Sequence, residues 1–147
     1  MAIQDVRSFA TGVWIDCNEA ARTIHSAITG KTIARAGNDT LDVAGMLEYA
    51  KKVGGQNLRK MNFHARAKML KAIAQSLTEH KKALYQISFS TGATQKDHLI
   101  DIDGGIGTLF AYSSMARREM PNSDIYLDGK VERLSRNGTF LGQHVCT

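Results

Sequence analysis

The chain has 147 residues, of which 43% are hydrophobic and 22% charged, a balance that is typical of one folded domain and excludes wholesale disorder. Its formal net charge of +5 is unevenly placed. Residues 1–58 hold six basic and six acidic side chains, whereas residues 59–147 hold thirteen and eight and therefore carry the whole excess. A basic half raises the question of a nucleic acid or an anionic cofactor as ligand.

The cysteine content and the hydropathy pattern limit the class of protein. Cys17 and Cys146 are too few for a disulfide framework or a four-ligand zinc site. No apolar run approaches the roughly 20 residues that span a bilayer, and the first residues lack the pattern of a secretory leader. We therefore expect a reduced, cytoplasmic protein without a membrane partner.

Residues 1–38 are predicted to form a β-ribbon. The runs 9–15 and 23–28 are rich in β-branched and aromatic residues, and 32–35 follow as a third strand after the turn signal Thr29-Gly30-Lys31.

Residues 40–119 are predicted to form three helices, of which the first follows Thr40. Val43, Met46, Leu47 and Ala50 recur at helical spacing, with Asp42 in the first turn and the pair Gly54-Gly55 as a C-terminal cap.

The second predicted helix covers residues 63–88. Leucines and other apolar residues recur at heptad spacing and predict a buried stripe: Phe63, Leu70, Ile73, Leu77, Leu84 and Ile87. Most charged residues are assigned to the opposite, solvated face: Arg66, Lys68, Lys71, Glu79, Lys81 and Lys82.

The third predicted helix covers residues 97–118, with aspartates early and Arg117-Arg118 late, as the helix dipole favours. Gly104, Gly105 and Gly107 each cost about 1 kcal/mol relative to alanine in a helix interior. Either this helix is locally irregular, or another group approaches its backbone closely.

Residues 123–147 are predicted to return to strands at 124–127, 130–134 and 139–147. The turn signals Asp128-Gly129 and Asn137-Gly138 separate them. The chain ends inside the last predicted strand, so we expect it to be a piece of a longer domain.

Several patterns suggest chemistry but lack the surroundings that it needs. The glycines at 104–107 do not follow a strand as a phosphate loop would, so close helix packing or a widened cavity is favoured over phosphate binding. Neither Cys17 with His25 nor Cys146 with His144 has a third group to orient it as a nucleophile pair.

The histidines and the basic run likewise favour structural roles. None of the five histidines stands at metal-ligand spacing with a carboxylate, so no zinc or iron site is predicted. The basic residues of 59–82 are interpreted as a solvated helix face rather than a nucleic-acid interface.

The order of elements nevertheless resembles the N-terminal part of the aldehyde dehydrogenase superfamily over essentially the whole chain. Five segments resemble one branch more closely, the bifunctional phenylacetic acid degradation proteins: 53–55, 61–70, 90–94, 100–110 and 134–138. In that family an aldehyde dehydrogenase is fused to a C-terminal MaoC-like hydratase.

The resemblance implies an α/β, aldehyde-dehydrogenase-like fold, here represented by the N-terminal hairpin, three helices and the oligomerisation strands, with the coenzyme-domain strand beginning near residue 142. It further implies that the parent opens an oxepin-CoA ring by hydrolysis and oxidises the resulting acyl-CoA semialdehyde with NADP. The catalytic cysteine, asparagine and glutamate and the cofactor-binding glycines are expected beyond Thr147. This chain alone is therefore expected to bind no cofactor and to be inactive.

The same resemblance implies that the third helix lines the substrate tunnel through Ile100, Gly104 and Thr108. Close approach of a neighbouring helix is the alternative explanation of the glycine. Homo-oligomers through strand edges are the expected assembly. The rival hypothesis for the chain as a whole is a stand-alone helical binding module that acts through its basic helix.

Overall fold

The computed structural model describes the backbone of residues 3–145 and the side chains of residues 3–139 except residue 131. Two units divide the chain: the first takes in residues up to Val53 together with His80–Gly104, and the second takes in Gly54–Glu79 with the residues from Gly105 onward. Both contain helix and strand, which confirms the predicted mixed α/β class.

The first unit contains five short strands: β1 (Gln4–Val6), β2 (Ser8–Ala10), β3 (Val13–Ile15), β4 (Arg22–His25) and β5 (Thr32–Ala36). β5 lies between β1, which is parallel to it, and β4, which is antiparallel. The prediction of one strand over 9–15 is wrong, because β2 and β3 pair as a hairpin. Thr11 and Gly12 both have positive φ, 50° and 86°, as a two-residue type I′ turn requires.

The predicted turn before β5 is confirmed, but β4 ends at His25 rather than continuing to residue 28. The Ser26 hydroxyl accepts hydrogen bonds from the backbone N–H groups of Ile28 and Thr29, each at 3.3 Å, and closes the turn. Ala27 donates its N–H to the carbonyl of Ser90 at 2.8 Å, which ties the ribbon to the helical part of the same unit.

The first helix begins as predicted and ends differently. Asp42 caps α1 (Val43–Tyr49) by accepting the N–H of Gly45 at 2.9 Å. A π-helical turn (Ala50–Gly55) and α2 (Gln56–Arg59) follow without a break. The predicted glycine cap is therefore wrong: Gly55 has φ −61° and ψ −42°, an ordinary right-handed helical conformation.

The second predicted helix is two helices, α3 (Phe63–Glu79) and α4 (Lys81–Phe89). His80, with φ −96° and ψ 4°, leaves the helical region and separates them. The Asn62 side chain accepts the N–H of Ala65 at 2.8 Å at the start of α3.

The buried side of α3 agrees with the predicted stripe only in part, since Phe63, Leu70 and Leu77 are half-buried. Ala67 and Ala74 are its buried residues, whereas Ile73 is 44% exposed and Ile87, on α4, 65% exposed. Lys71 follows Ala67 by four residues and precedes Ala74 by three, so all three lie on one side of the helix. The Lys71 side chain is nevertheless exposed, as predicted for the solvated residues of this helix.

The third predicted helix is a continuous run of α5 (Gln95–His98), a π-helical turn (Leu99–Asp103) and α6 (Gly104–Glu119). It starts earlier than predicted, because Thr94 and Asp97 form a reciprocal capping box. Of the two explanations considered for the glycines, local irregularity is present, since the π turn lies directly before them.

The last two strands, β6 (Ile125–Arg133) and β7 (Thr139–Val145), form an antiparallel pair in the second unit. The predicted turn at Asp128-Gly129 is wrong, because Gly129 (φ 79°) lies inside β6, where the register shifts between Asp128 and Glu132. The loop at Asn137-Gly138 is confirmed, and Gly138 accepts the N–H of Leu134 at 2.9 Å. Residues 146 and 147 of the last predicted strand lie outside the described residues.

Candidate functional site

The three predicted tunnel residues all lie on the helical run from Gln95 to Glu119. Ile100 lies in the π turn and is 66% exposed, and Gly104 begins α6. Thr108 follows on α6 with an exposed side chain. Ile100 and Gly104 belong to the first unit and Thr108 to the second. The structure therefore brings Ile100 and Gly104 together on one exposed stretch of helix.

The atoms around the three glycines show whether close packing explains the lack of side chains on this helix. Among the described residues, no atom beyond the neighbouring backbone of the helix itself lies within 4 Å of the position that a Cβ would take at Gly104, Gly105 or Gly107. Close packing within either unit therefore does not explain the three glycines. At Gly104, a side chain would project into open space beside Ile100.

The glycines do not form a phosphate cradle. The backbone N–H of Gly104 donates to the carbonyls of Ile100 and Asp101, so the π turn already uses the donor that an anion at a helix N-terminus would need.

The C-terminal end of the π turn is held by a charged cluster, here called the Asp103 clamp, which consists of Asp103, Tyr85 and Lys81. One carboxylate oxygen of Asp103 accepts the Tyr85 hydroxyl at 2.7 Å and lies 2.7 Å from the Lys81 ammonium. Lys81 first, and Tyr85 second, hold the pKa of Asp103 below its usual value. The hydrogen bonds to the Asp103 carboxylate in turn raise the pKa of Lys81 and of Tyr85.

The N-terminal end of the π turn is held by His98, which is only 2% exposed. Its ring stacks on Tyr85 with centroids 5.5 Å apart and meets Phe89 edge-on at 4.4 Å. Its Nδ1 is 2.8 Å from the Ser88 hydroxyl. α4 therefore contacts both ends of the π turn and fixes the segment that exposes Ile100.

A cavity of ≈ 260 Å³ lies beside this turn, lined by Lys82, Tyr85, Gln86, Phe89, Gln95, His98 and Leu99. The Nε2 atom of His98 is buried and has no hydrogen-bond partner among the described residues. The cluster of His98, Tyr85 and Asp103 was not predicted, because nothing in a single sequence indicates that Tyr85 and Asp103, 18 positions apart, are joined by a hydrogen bond.

A second cavity, of ≈ 470 Å³, lies within the second unit between α3 and α6. It is lined by His64, Lys71, Phe110, Ser113, Ser114, Arg117 and Arg118. The Ser113 hydroxyl donates to the carbonyl of Ala67 at 2.7 Å and joins the two helices. The sequence analysis did not predict this cavity, because its basic residues come from two separate helices.

The two cysteine–histidine pairs do not form a described nucleophile site. The Cys17 thiol lies 3.1 Å from the carbonyl of Val6, and the His25 ring contacts Thr23 and Gly30 instead. Cys146 and the side chain of His144 lie outside the described residues.

Neither a metal site nor a membrane-spanning helix is found in the described part of the chain. Within it, no three His, Cys, Asp or Glu side chains come close enough together to hold a metal ion. Within the same residues, no helix has the length and apolar character needed to cross a membrane.

Comparison with known proteins identifies the family. The model of the aldehyde dehydrogenase family matches residues 14–137, which is most of the chain. The chain belongs to the aldehyde dehydrogenase family. It is also similar to the 3,4-dehydroadipyl-CoA semialdehyde dehydrogenase of Aromatoleum evansii, with 30% identity over 138 residues.

The match to this aldehyde dehydrogenase covers 93% of the present chain and 27% of the relative, so the chain spans about a quarter of the relative's length. Aldehyde dehydrogenases are oxidoreductases that use NAD or NADP. Membership of this family favours an oxidoreductase over an independent helical binding module.

Proposed function

We propose that this chain is the N-terminal part of an enzyme that oxidises a ring-opened acyl-CoA semialdehyde to the acid. The observation that carries the proposal is the similarity to a CoA semialdehyde dehydrogenase along nearly the whole chain. The proposal includes NADP as hydride acceptor, a fused hydratase that opens the oxepin-CoA ring in phenylacetate degradation, and a cytoplasmic location.

In this proposal the chain forms part of the substrate tunnel, and the catalytic residues lie beyond Thr147. Ile100, Gly104 and Thr108 line the substrate tunnel. The exposure of Ile100 and the open space at Gly104 support this role, because a substrate needs an apolar wall and room to pass. The two attachments of the π turn to α4 keep that wall in a fixed position.

The surface of the chain supports its incorporation into a larger assembly. Among the described residues no large side chain falls below 2% exposure, while Trp14 and Leu134 are 60% and 70% exposed. Apolar side chains of this size normally pack against other protein. We assign part of this surface to the remainder of the enzyme and part to a homo-oligomer through the edges of the β6–β7 pair.

The substrate role of Gly104 is tested in the full-length enzyme that contains this chain. Gly104→Leu should raise KM for the acyl-CoA semialdehyde by about tenfold or more, which corresponds to roughly 1.4 kcal/mol of lost binding. KM for a small free aldehyde should change little, because a small substrate needs less room. NADPH formation followed by absorbance measures both, and replacing NADP with NAD tests the cofactor.

Gly105→Leu is the matched control, since residue 105 lies about 100° around the helix from residue 104. An equal rise of KM for both aldehydes, or a loss of folding in the Gly104 variant alone, would support the packing explanation instead. An enzyme that oxidises small aldehydes and leaves the CoA-linked semialdehyde untouched would contradict the proposed function itself.

A further inference from the structure

Tyr85, on α4, contacts the π turn at both of its ends. Its hydroxyl donates to the Asp103 carboxylate at 2.7 Å, and its ring stacks on His98 with centroids 5.5 Å apart. Lys81 lies one helical turn earlier on α4, and its ammonium is 2.7 Å from the same carboxylate oxygen. The side chain of Tyr85 therefore spans the five residues of the π turn and ties both ends of it to one helix.

The contacts with α4 involve the shielded residues of this segment. His98 is 2% exposed, and the side chain of Asp103 is 29% exposed. Ile100, between them, is 66% exposed, and open space surrounds the position that a Cβ would take at Gly104. The contacts with α4 therefore hold the turn in place and leave Ile100 and Gly104 accessible to a ligand.

The shape of the turn depends on these contacts. A π turn is a rare element that occurs mostly as a single turn inside an α-helix, often at a functional site. Its hydrogen bonds span five residues rather than four, so a change to regular α-helix would shift Ile100 relative to Gly104. Attachment of both ends to α4 opposes such a change.

We propose that Tyr85 is a positioning residue for the aldehyde substrate. By holding both ends of the π turn, it keeps Ile100 and Gly104 in the arrangement that accepts the CoA-linked semialdehyde in preference to smaller aldehydes. This inference rests on the proposed function, because it takes Ile100 and Gly104 as residues of the substrate tunnel. Tyr85 acts through Asp103 and His98 and does not itself contact the substrate.

The first test uses Tyr85→Phe in the full-length enzyme, which removes the hydroxyl and keeps the ring beside His98. KM for the CoA-linked semialdehyde should rise by about tenfold, because the tunnel wall is no longer fixed. Its kcat, and both constants of a small free aldehyde such as propanal, should stay unchanged. Asp103→Asn weakens the same contact and should give a similar result.

Asp101→Asn is the matched control for Asp103→Asn, because Asp101 is an exposed aspartate of the same π turn that lies outside the Asp103 clamp. Its kinetic constants should equal those of the unmodified enzyme. An equal rise of KM for the semialdehyde and for propanal in Tyr85→Phe would indicate a general loss of structure and would overturn the inference.

The second test combines Tyr85→Phe with Asp103→Asn. Two residues that act through one shared contact have non-additive effects, so KM for the semialdehyde in the double variant should exceed the larger single effect only slightly. Multiplication of the two single effects would mean that the residues act independently. That result would also overturn the role of Tyr85 as a residue that acts through Asp103.

Two outcomes separate this inference from the proposed function. If the enzyme oxidises the CoA-linked semialdehyde and Tyr85→Phe leaves its KM unchanged, the proposed function stands and the positioning role fails. If the enzyme oxidises octanal but not the semialdehyde, and Tyr85→Phe raises KM for octanal but not for propanal, the positioning role stands and the proposed function fails.

Discussion

The two units hold their helices together in different ways. In the first unit, α4 is joined to the π turn by polar and aromatic groups: the Asp103 clamp at one end and His98 at the other. In the second unit, α3 and α6 meet through small residues. Ala67 is 1% exposed, and its carbonyl accepts the hydroxyl of Ser113.

The difference follows from what each unit leaves exposed. The π turn presents Ile100 outward, so it buries little apolar area of its own, and directed contacts must fix it in place. α3 and α6 instead meet where the Ser113 hydroxyl reaches the backbone carbonyl of Ala67 directly, and small side chains at that point allow this approach. Polar contacts therefore hold the exposed π turn in place, whereas small side chains let α3 and α6 meet.

The largest expected effect would break the packed contact. Ala74→Leu adds a bulky side chain at a position that is 0% exposed, and overpacking of this kind costs about 1–3 kcal/mol. The thermal unfolding midpoint of the full-length enzyme should fall accordingly. Ala72→Leu, on the exposed side of the same helix, should leave the midpoint nearly unchanged, and equal losses in both variants would contradict the close packing at Ala74.

An intermediate effect is expected at the start of the helical run that carries the π turn. Thr94→Ala removes the hydroxyl that accepts the N–H of Asp97, and loss of such a cap costs about 1 kcal/mol. Hydrogen exchange should increase over α5 and the π turn more than over α6. Thr94→Ser keeps a hydroxyl and should restore protection; if it does not, the cap is not the cause.

The smallest effect should appear as a change in the pH dependence of stability. The pKa of Asp103 is lowered in the folded state, so its contribution is present above the unfolded value of about 3.9 and lost as pH falls through the folded value. The raised pKa of Lys81 adds a contribution that is present below about 10.4 and lost as pH rises through the folded value.

The Asp103 clamp is therefore expected to stabilise the fold between about pH 4 and pH 10. Asp103→Asn should lower the unfolding midpoint within that window, and the difference from the unmodified enzyme should shrink below it. Glu48→Gln, which removes an exposed helix pair with Lys52, is the control for general charge loss. A difference that stays constant with pH would contradict the role of the Asp103 carboxylate.

Structural features that depend on a few neighbouring residues were predicted well. Asp42 was placed in the first turn of α1 and caps it, Asn137-Gly138 lies in the loop before β7, and the helical irregularity near Gly104 is present. Two other dipeptides that contain glycine were weaker signals. Gly54-Gly55 and Asp128-Gly129 were predicted to end elements, yet glycine also tolerates the helical and bulged conformations found there.

The sequence by itself determined the class of fold, the family resemblance and the helix that carries Ile100 and Gly104, because these depend on local pattern. Only the tertiary structure decided the side of α3 on which Lys71 lies relative to α6, and the burial of His98 between Tyr85 and Phe89. Those outcomes depend on which helix packs against which. Contacts between residues far apart in the chain leave no periodic signal in a single sequence.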